Sequence, residues 1–440
     1  METLLIKTSS GLGRNSIGMG KSIYLKLLGM AMQFAVLVVY RFLLPADLFG
    51  FFVLCTSASL LTGALIRFGL NEVVAKSIAA AGNVRLDWRD LATAYWQIVI
   101  NTGVFSVLVV VVYWRLLAAQ GIDLSLASIF MPILAGLLGA LNAMNSAVLK
   151  GLGFANLSIL NEHIVRSLVL LLIASMAIFA GEMVADYESI SLMILVSFVP
   201  PIFWSLAVVG LTGMKAGSKI LLNLPMLSVR KNGWIAMYQV VGNSRIQLAI
   251  LVAGFLSSAA TVGNLRLVLQ VWQVLSVGRQ AISVSKFRAL VYGITQEAYE
   301  SVQKILVKAV HSEFRWLALV ALVSNVVFGA GAVFVDLPAL SFAGGLWMMC
   351  VARAIICYFG PLGVFLIASN LQKEFCEVFA VWIFIFCISF FGIYNYLDIT
   401  NFGLLALIQL FIGLELVFLG SQLAVLFKNT EYPRIRGFVK

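Results

Sequence analysis

The sequence predicts an all-α, polytopic membrane protein of about twelve transmembrane helices, built as two pseudo-symmetric six-helix lobes around a central cavity, and three observations carry that prediction. First, 62% of the 440 residues are hydrophobic, only 11% are charged and mean hydropathy is +1.02. That leaves too little polar surface to cover a water-soluble globule of this length. Second, apolar stretches of about 20 residues, the length that crosses a bilayer, recur along the whole chain. Third, residues 29 to 54 recur in register at residues 242 to 267, an offset of 242 − 29 = 213. Gly29, Val39, Phe42, Leu43, Ala46, Gly50 and Leu54 match Gly242, Val252, Phe255, Leu256, Ala259, Gly263 and Leu267. Each copy reads as helix, tight turn, helix, and a repeat of this kind is the mark of carriers with a site between two halves.

Scanning at the crossing length places six spans in the first half, near 22 to 44, 48 to 70, 91 to 114, 125 to 148, 157 to 180 and 189 to 213. Six more fall near 234 to 256, 265 to 287, 316 to 335, 343 to 368, 374 to 396 and 402 to 427. The chain thus divides into an N-terminal lobe, 1 to 213, an inter-lobe linker, 214 to 233, and a C-terminal lobe, 234 to 440. The linker mixes Lys215, Lys219, Arg230 and Lys231 with Ile220, Leu221, Leu222 and Leu224, as expected of a segment lying along a membrane interface. Residues 295 to 310 read as a short amphipathic interfacial helix with Tyr299, Val302, Ile305, Leu306, Ala309 and Val310 on one face and Glu300 four residues before Lys304.

Lys and Arg placement sets the expected orientation. With the N-terminus inside, Lys7, Arg14, Lys21, Lys76, Arg85, Arg89, Lys150, Lys215, Lys219, Arg288, Lys304, Lys373, Lys428 and Arg434 all fall inside. The links 181 to 188, 257 to 264, 336 to 342 and 397 to 401 hold neither residue. Both termini are therefore expected to be cytoplasmic, and the net charge of +11 is explained as a topological signal against anionic lipid, with no nucleic-acid partner required. No cleavable signal peptide is recognised before Ile23.

Function is expected within the membrane helices, because no soluble domain is large enough for a catalytic site and no outside link exceeds about ten residues. Neither a phosphate loop nor a nucleophile and base constellation is recognisable, so the chain reads as a transporter, not an enzyme, with no cofactor and no metal site. Cys55, Cys350, Cys357, Cys376 and Cys387 lie in or beside apolar spans and read as packing residues.

Charge at membrane depth costs about 2.5 to 3.5 kcal/mol on insertion scales, so a deep ionisable residue usually faces a wet cavity or a counter-charge. Arg245, mid-span in the repeated segment, is the leading substrate residue, with Tyr238 and Trp234 on roughly its face; guanidinium grips phosphate and aromatic rings pack on sugars. Arg266, Gln270, Gln273 and Gln280 form a polar stripe along the next span, with Arg279 beside it. Arg353 and Glu415 also fall deep, either as a salt bridge within the second lobe or in ligand and proton roles, Glu415 being the candidate ion-coupling carboxylate. Glu162 and Arg166, four apart, read as a local neutralising pair, and Gln33, Asn142 and Asn145 as interhelical hydrogen-bond formers.

The opening hairpin, with Gly29, Arg41-Phe42-Leu43-Leu44-Pro45, Phe49-Gly50 and Arg67-Phe68-Gly69-Leu70, resembles the polysaccharide flippases of the multidrug/oligosaccharidyl-lipid/polysaccharide exporter (MOP) superfamily, as does the stretch from Tyr238 to Gly263. The resemblance covers most of the chain, with departures: Ser258 stands in the second copy where the first has Pro45, and the span after it lacks a proline common in the family. It implies an alternating-access flippase in the bacterial cytoplasmic membrane. The cargo would be an undecaprenyl-diphosphate-linked oligosaccharide, carried to the outer leaflet for O-antigen, capsule or exopolysaccharide assembly, with membrane lipid and other polysaccharide assembly proteins as partners. A multidrug extruder of the same superfamily is the rival reading, and a membrane glycan polymerase a weaker one.

Overall fold

In the computed structural model, the described residues are 24–71, 84–86, 88–122, 125–152, 154, 155–180, 186–213, 218–220, 229–276, 339–359, 362–368, 371–396 and 403–429, with further helical positions at 74, 75 and 78 and between 300 and 322. The N-terminal half comprises α1 (Tyr24–Leu43), α2 (Ala46–Arg67), α3 (Trp88–Ala119), α4 (Leu126–Gly151), α5 and α6. Helix α5 runs as Ala155–Ile159, a π-helical turn Leu160–Val165, and Arg166–Ala180; α6 runs as Tyr187–Ser197 and Val199–Gly213. In the C-terminal half lie α7 (Val229–Leu256), α8 (Ala259–Leu275), α9 (Ala339–Phe359), α10 (Leu362–Ala368), α11 (Gln372–Tyr396) and α12 (Leu404–Asn429). The protein is a multi-pass, all-helical membrane protein in two lobes, and eight of its described helices are long and apolar enough to cross a bilayer.

Apolar side chains face outward on several of them: Val104, Val107, Leu108 and Val111 on α3, Met176 and Phe179 on α5, and Val381, Phe384, Ile385 and Ile388 on α11 are all exposed. An outer surface of this kind suits lipid, where burying such side chains against protein brings no hydrophobic gain.

The internal repeat is visible in the helix ends. Helix α1 stops at Leu43 and α7 at Leu256, and α2 starts at Ala46 and α8 at Ala259, so both boundaries keep the offset, 256 − 43 = 259 − 46 = 213. The two hairpins cross one another at their turns. A Cβ added to Gly50 would collide with the Ala259 carbonyl, and one on Gly263 would lie 2.7 Å from the Phe49 ring and 3.4 Å from Gly50 Cα. Gln120, at the end of α3, donates to the carbonyls of Gly254 and Ser257 across the same contact. We call this the hairpin end. Farther along α2 the backbone instead presses on its own lobe, with a Cβ on Gly63 placed 2.9 Å from the Gly136 carbonyl of α4. Repeated glycines therefore mark close approaches, which Gly permits because it has no side chain to accommodate.

Four differences from the sequence reading have local causes. Helix α6 breaks at Phe198 because Pro200 and Pro201 follow, removing backbone donors from the second segment's first turn. The span expected at 343 to 368 is two helices, α9 and α10. Within the linker, Ser218–Ile220 pairs in parallel with Val84–Leu86, the one strand pairing among the described residues. In the 300 to 322 region the described positions are all helical, and Val302, Leu306, Val310, Glu313 and Leu317 form one buried stripe. The amphipathic segment is thus in register with the span that follows, with Lys304 Nζ donating to Glu300 Oε1 at 2.8 Å as expected. The remaining residues of spans 265 to 287 and 316 to 335 lie outside the described residues.

Candidate functional site

The deep charges separate into two groups. In the C-terminal lobe, Arg245 Nη1 of α7 meets Glu415 Oε2 of α12 at 3.1 Å, with Glu415 only 4% exposed. The guanidinium also lies 3.8 Å from the centroid of the Phe418 ring, one helical turn beyond Glu415. The sequence suggests Arg353 as the partner of Glu415; instead the buried Arg353 lies with its guanidinium 5.3 Å from the Trp272 ring, and Arg245 takes the carboxylate. The leading substrate residue is therefore already matched by a counter-charge.

Tyr238 and Trp234 are not open sugar platforms. Tyr238 is buried, its ring stacked on Phe418 at 6.4 Å and met edge-on by Phe375 at 5.1 Å, while its hydroxyl accepts from Gln422 Nε2 at 3.3 Å. Trp234 is half-buried against the same core, and Cys376 Sγ points at its carbonyl at 3.9 Å. The Tyr238 ring is taken up by the lobe's own aromatic residues, a packing use of rings that prefer offset and edge contacts.

The second group crosses between lobes. Arg166, on α5 directly after the π-helical turn, holds its guanidinium 3.9 Å from the Phe198 ring and donates from Nε to Ser197 Oγ at 3.4 Å, at the break in α6. The charge acting on it is Arg266 of α8, from the opposite lobe. Among the described residues, the buried donors Arg166 Nη2, Arg266 Nη1 and Gln270 Nε2 have no acceptor, and the buried acceptors Gln270 Oε1 and Gln273 Oε1 have no donor. Two buried guanidinium groups, one from each lobe and each with a donor left over, form an arrangement that can take up an anion.

Arg166 is the candidate site residue that sequence reasoning missed. The expected Glu162–Arg166 pair assumed ordinary helical spacing, but a π-helical turn closes i to i+5 and takes residues four apart out of alignment. Glu162 Oε2 turns instead to His163 Nε2 at 3.9 Å. Arg279 and Gln280 lie outside the described residues. Asn142 and Asn145 do take the interhelical role: Asn161 Nδ2 donates to Asn142 Oδ1 at 2.8 Å, and Asn145 Nδ2 to Ser205 Oγ at 2.7 Å. None of the five cysteines is in a disulfide.

Comparison with known proteins places the fold. No family model matches the chain, and no curated protein matches it. Solved structures do. The MATE multidrug transporter DinF-BH, solved as a ligand complex, superposes with a TM-score of 0.65 at 14% identity, over 96% of each chain. A MATE protein solved in complex with MaL6 gives 0.62 at 12% identity, covering 94% of this chain and 96% of the other. A MOP superfamily transporter from Pyrococcus furiosus, described as having a binding pocket of reversed polarity, gives 0.59 at 13% identity over 96% of each. The chain has the fold of these transporters along nearly its whole length.

Proposed function

We propose that this protein is an alternating-access transporter whose cargo carries phosphate, and specifically a flippase for a lipid-linked oligosaccharide such as an undecaprenyl-diphosphate glycan. The observation that carries the reading is the burial of two guanidinium groups, Arg166 and Arg266, one from each lobe and each with a donor left unfilled. A diphosphate headgroup cannot cross hydrocarbon bare; two guanidinium groups replace its hydration with directed hydrogen bonds while the prenyl tail stays in lipid. Contacts between lobes at the hairpin end, with α2 turning to its own lobe beyond Gly63, suit a state closed at that end. On the orientation expected from Lys and Arg, this state receives cargo from the cytoplasmic leaflet.

Extrusion of organic cations is the second reading, and both the names of the solved relatives and one feature of the chain favour it. Glu415 is a buried carboxylate walled by Phe418 and neighbouring rings, the chemistry of a cation pocket. Arg245 already neutralises that carboxylate, which weighs against the cation and for the anion.

Deletion of the gene is expected to leave lipid-linked single repeat units at the inner leaflet, and Arg166→Ala or Arg266→Ala to restore less than a tenth of wild-type export. The loss follows from charge-assisted hydrogen bonds of about 1.5 to 3 kcal/mol each. Normal export by both variants removes the reading. A deletion strain with normal glycan export but heightened sensitivity to cationic dyes establishes the rival.

A further inference from the structure

Where α5 opens into its π-helical turn, four polar side chains meet on the side facing α1. His163 Nε2 lies 3.9 Å from Glu162 Oε2, and His163 Nδ1 lies 3.5 Å from Gln33 Nε2 of α1. Lys26, one turn into α1, acts electrostatically on both Glu162 and His163, and Lys150 at the end of α4 acts on Lys26. The protein does not fully enclose the two acid-base side chains: His163 is 28% and Glu162 41% exposed.

The backbone beside them has no slack. A Cβ on Gly29 would lie 2.6 Å from His163 Cβ, so α1 presses directly on the base of the imidazole. Ser167 Oγ donates to the His163 carbonyl at 3.0 Å, and Arg166 follows three residues on.

We propose that His163, with Glu162, Lys26 and Gln33, is a proton-binding site whose occupancy re-aims Arg166 and thereby links proton movement to anion binding between the lobes. Imidazole changes charge between about pH 5 and 8 in ordinary surroundings. In the neutral ring Gln33 donates to Nδ1 and the Nε2 proton faces Glu162; an added proton makes both nitrogens donors. Gln33 must then present its carbonyl oxygen, and the imidazolium competes with Lys26 for the Glu162 carboxylate. Because Gly29 blocks the ring from backing away, the adjustment falls on α1 or on the π-helical turn. A π-turn that relaxes to α-helical spacing shifts everything beyond it by about one residue, roughly 100° and 1.5 Å. Arg166 is the first charged residue beyond it, and the shift moves its guanidinium relative to Phe198 and Ser197 at the break of α6. The proton site stands on its own contacts; only the link to anion binding rests on the phosphate reading above.

The chain contains two histidines, His163 and His311, so full-length protein carrying ring-labelled 15N-histidine in lipid nanodiscs gives two imidazole signals, and His311→Gln leaves one. The expected result is a single titration of His163 between pH 5 and 8, displaced in opposite senses by Glu162→Gln and Lys26→Met. A ring that does not titrate between pH 4 and 9, or one indifferent to both substitutions, overturns the proton site. Inorganic pyrophosphate supplies the second arm. Its affinity, measured by calorimetry on either side of the titration, is expected to change at least fivefold in wild type and not in His163→Gln, with a reciprocal displacement of the titration at saturation. Pyrophosphate affinity that ignores pH overturns the link. Absence of pyrophosphate binding at every pH overturns the phosphate reading instead, while the titration arm still decides the proton site.

Discussion

Arg245 and Glu415 show what one buried ion pair costs to break. Neither charge is stable alone at that depth, so Arg245→Ala leaves Glu415 uncompensated beside Phe418 and is expected to destabilise the C-terminal lobe by about 3 to 5 kcal/mol. Replacing both, as in Arg245→Met with Glu415→Leu, removes the stranded charge and is expected to recover most of that loss. Thermal denaturation of the single and double variants in detergent measures it; equal destabilisation by the double variant rules out the pair as a mutual neutraliser. Asp186 works differently, at the surface. Its carboxylate accepts from the Ser189 backbone N–H at 2.6 Å and the Ser189 hydroxyl at 3.0 Å, and these bonds hold its pKa below the ordinary carboxylate value. A depressed value means that the cap contributes above about pH 4, the unfolded value, and is lost as pH falls through the lower folded one. The cap is worth about 0.5 to 2 kcal/mol, near the lower figure for so exposed a group. Amide exchange at Ser189 is expected to speed up beyond its intrinsic pH dependence in acid, and Asp186→Ala to abolish that extra change.

Among the elements, the two crossing hairpins carry the clearest mechanical consequence. Helix α2 begins behind Pro45, with no side-chain cap, whereas α8 begins behind Ser258, whose Oγ accepts from the Thr261 N–H at 3.4 Å. Different chemistry starts the same helix at equivalent positions, which is why the departure at that site leaves the geometry intact. Gly50 is less forgiving, because what a side chain there would strike is the Ala259 backbone, which has no rotamer to yield. Gly50→Val is expected to push the hairpin end apart. In a background lacking the native cysteines, a thiol at Val262→Cys, buried in the native chain, then reacts with a polar maleimide at least tenfold faster. An unchanged rate shows that the crossing is not the seal at that end.

At the scale of the molecule, the two lobes differ in how they hold charge. The C-terminal lobe closes Arg245 on Glu415 and encloses Tyr238 and Phe418 in its own aromatic core. The N-terminal lobe holds Arg166 between two backbone irregularities, the π-helical turn of α5 and the break of α6. Irregular backbone at this depth is tolerated only where protein or water satisfies it, and such places are where helices shift most easily.

The membrane setting, the helical fold, the repeat and most helix positions were legible in the chain, because composition, span length and glycine register are properties of sequence that a bilayer and a close helix crossing read directly. Arg266, Gln270 and Gln273 were legible as a stripe for the same reason: helical spacing puts them on one face. Which charges meet was decided only by folding. Periodicity assumed α-helical spacing through residues 160 to 165, and the π-turn there separates Glu162 from Arg166. The choice of Arg245 over Arg353 for Glu415, and the seating of Arg166 on Phe198 and Ser197, depend on how α5, α6, α7, α9 and α12 pack, and no single helix encodes that. Electrostatic interactions reach across elements, whereas local patterns describe one element at a time.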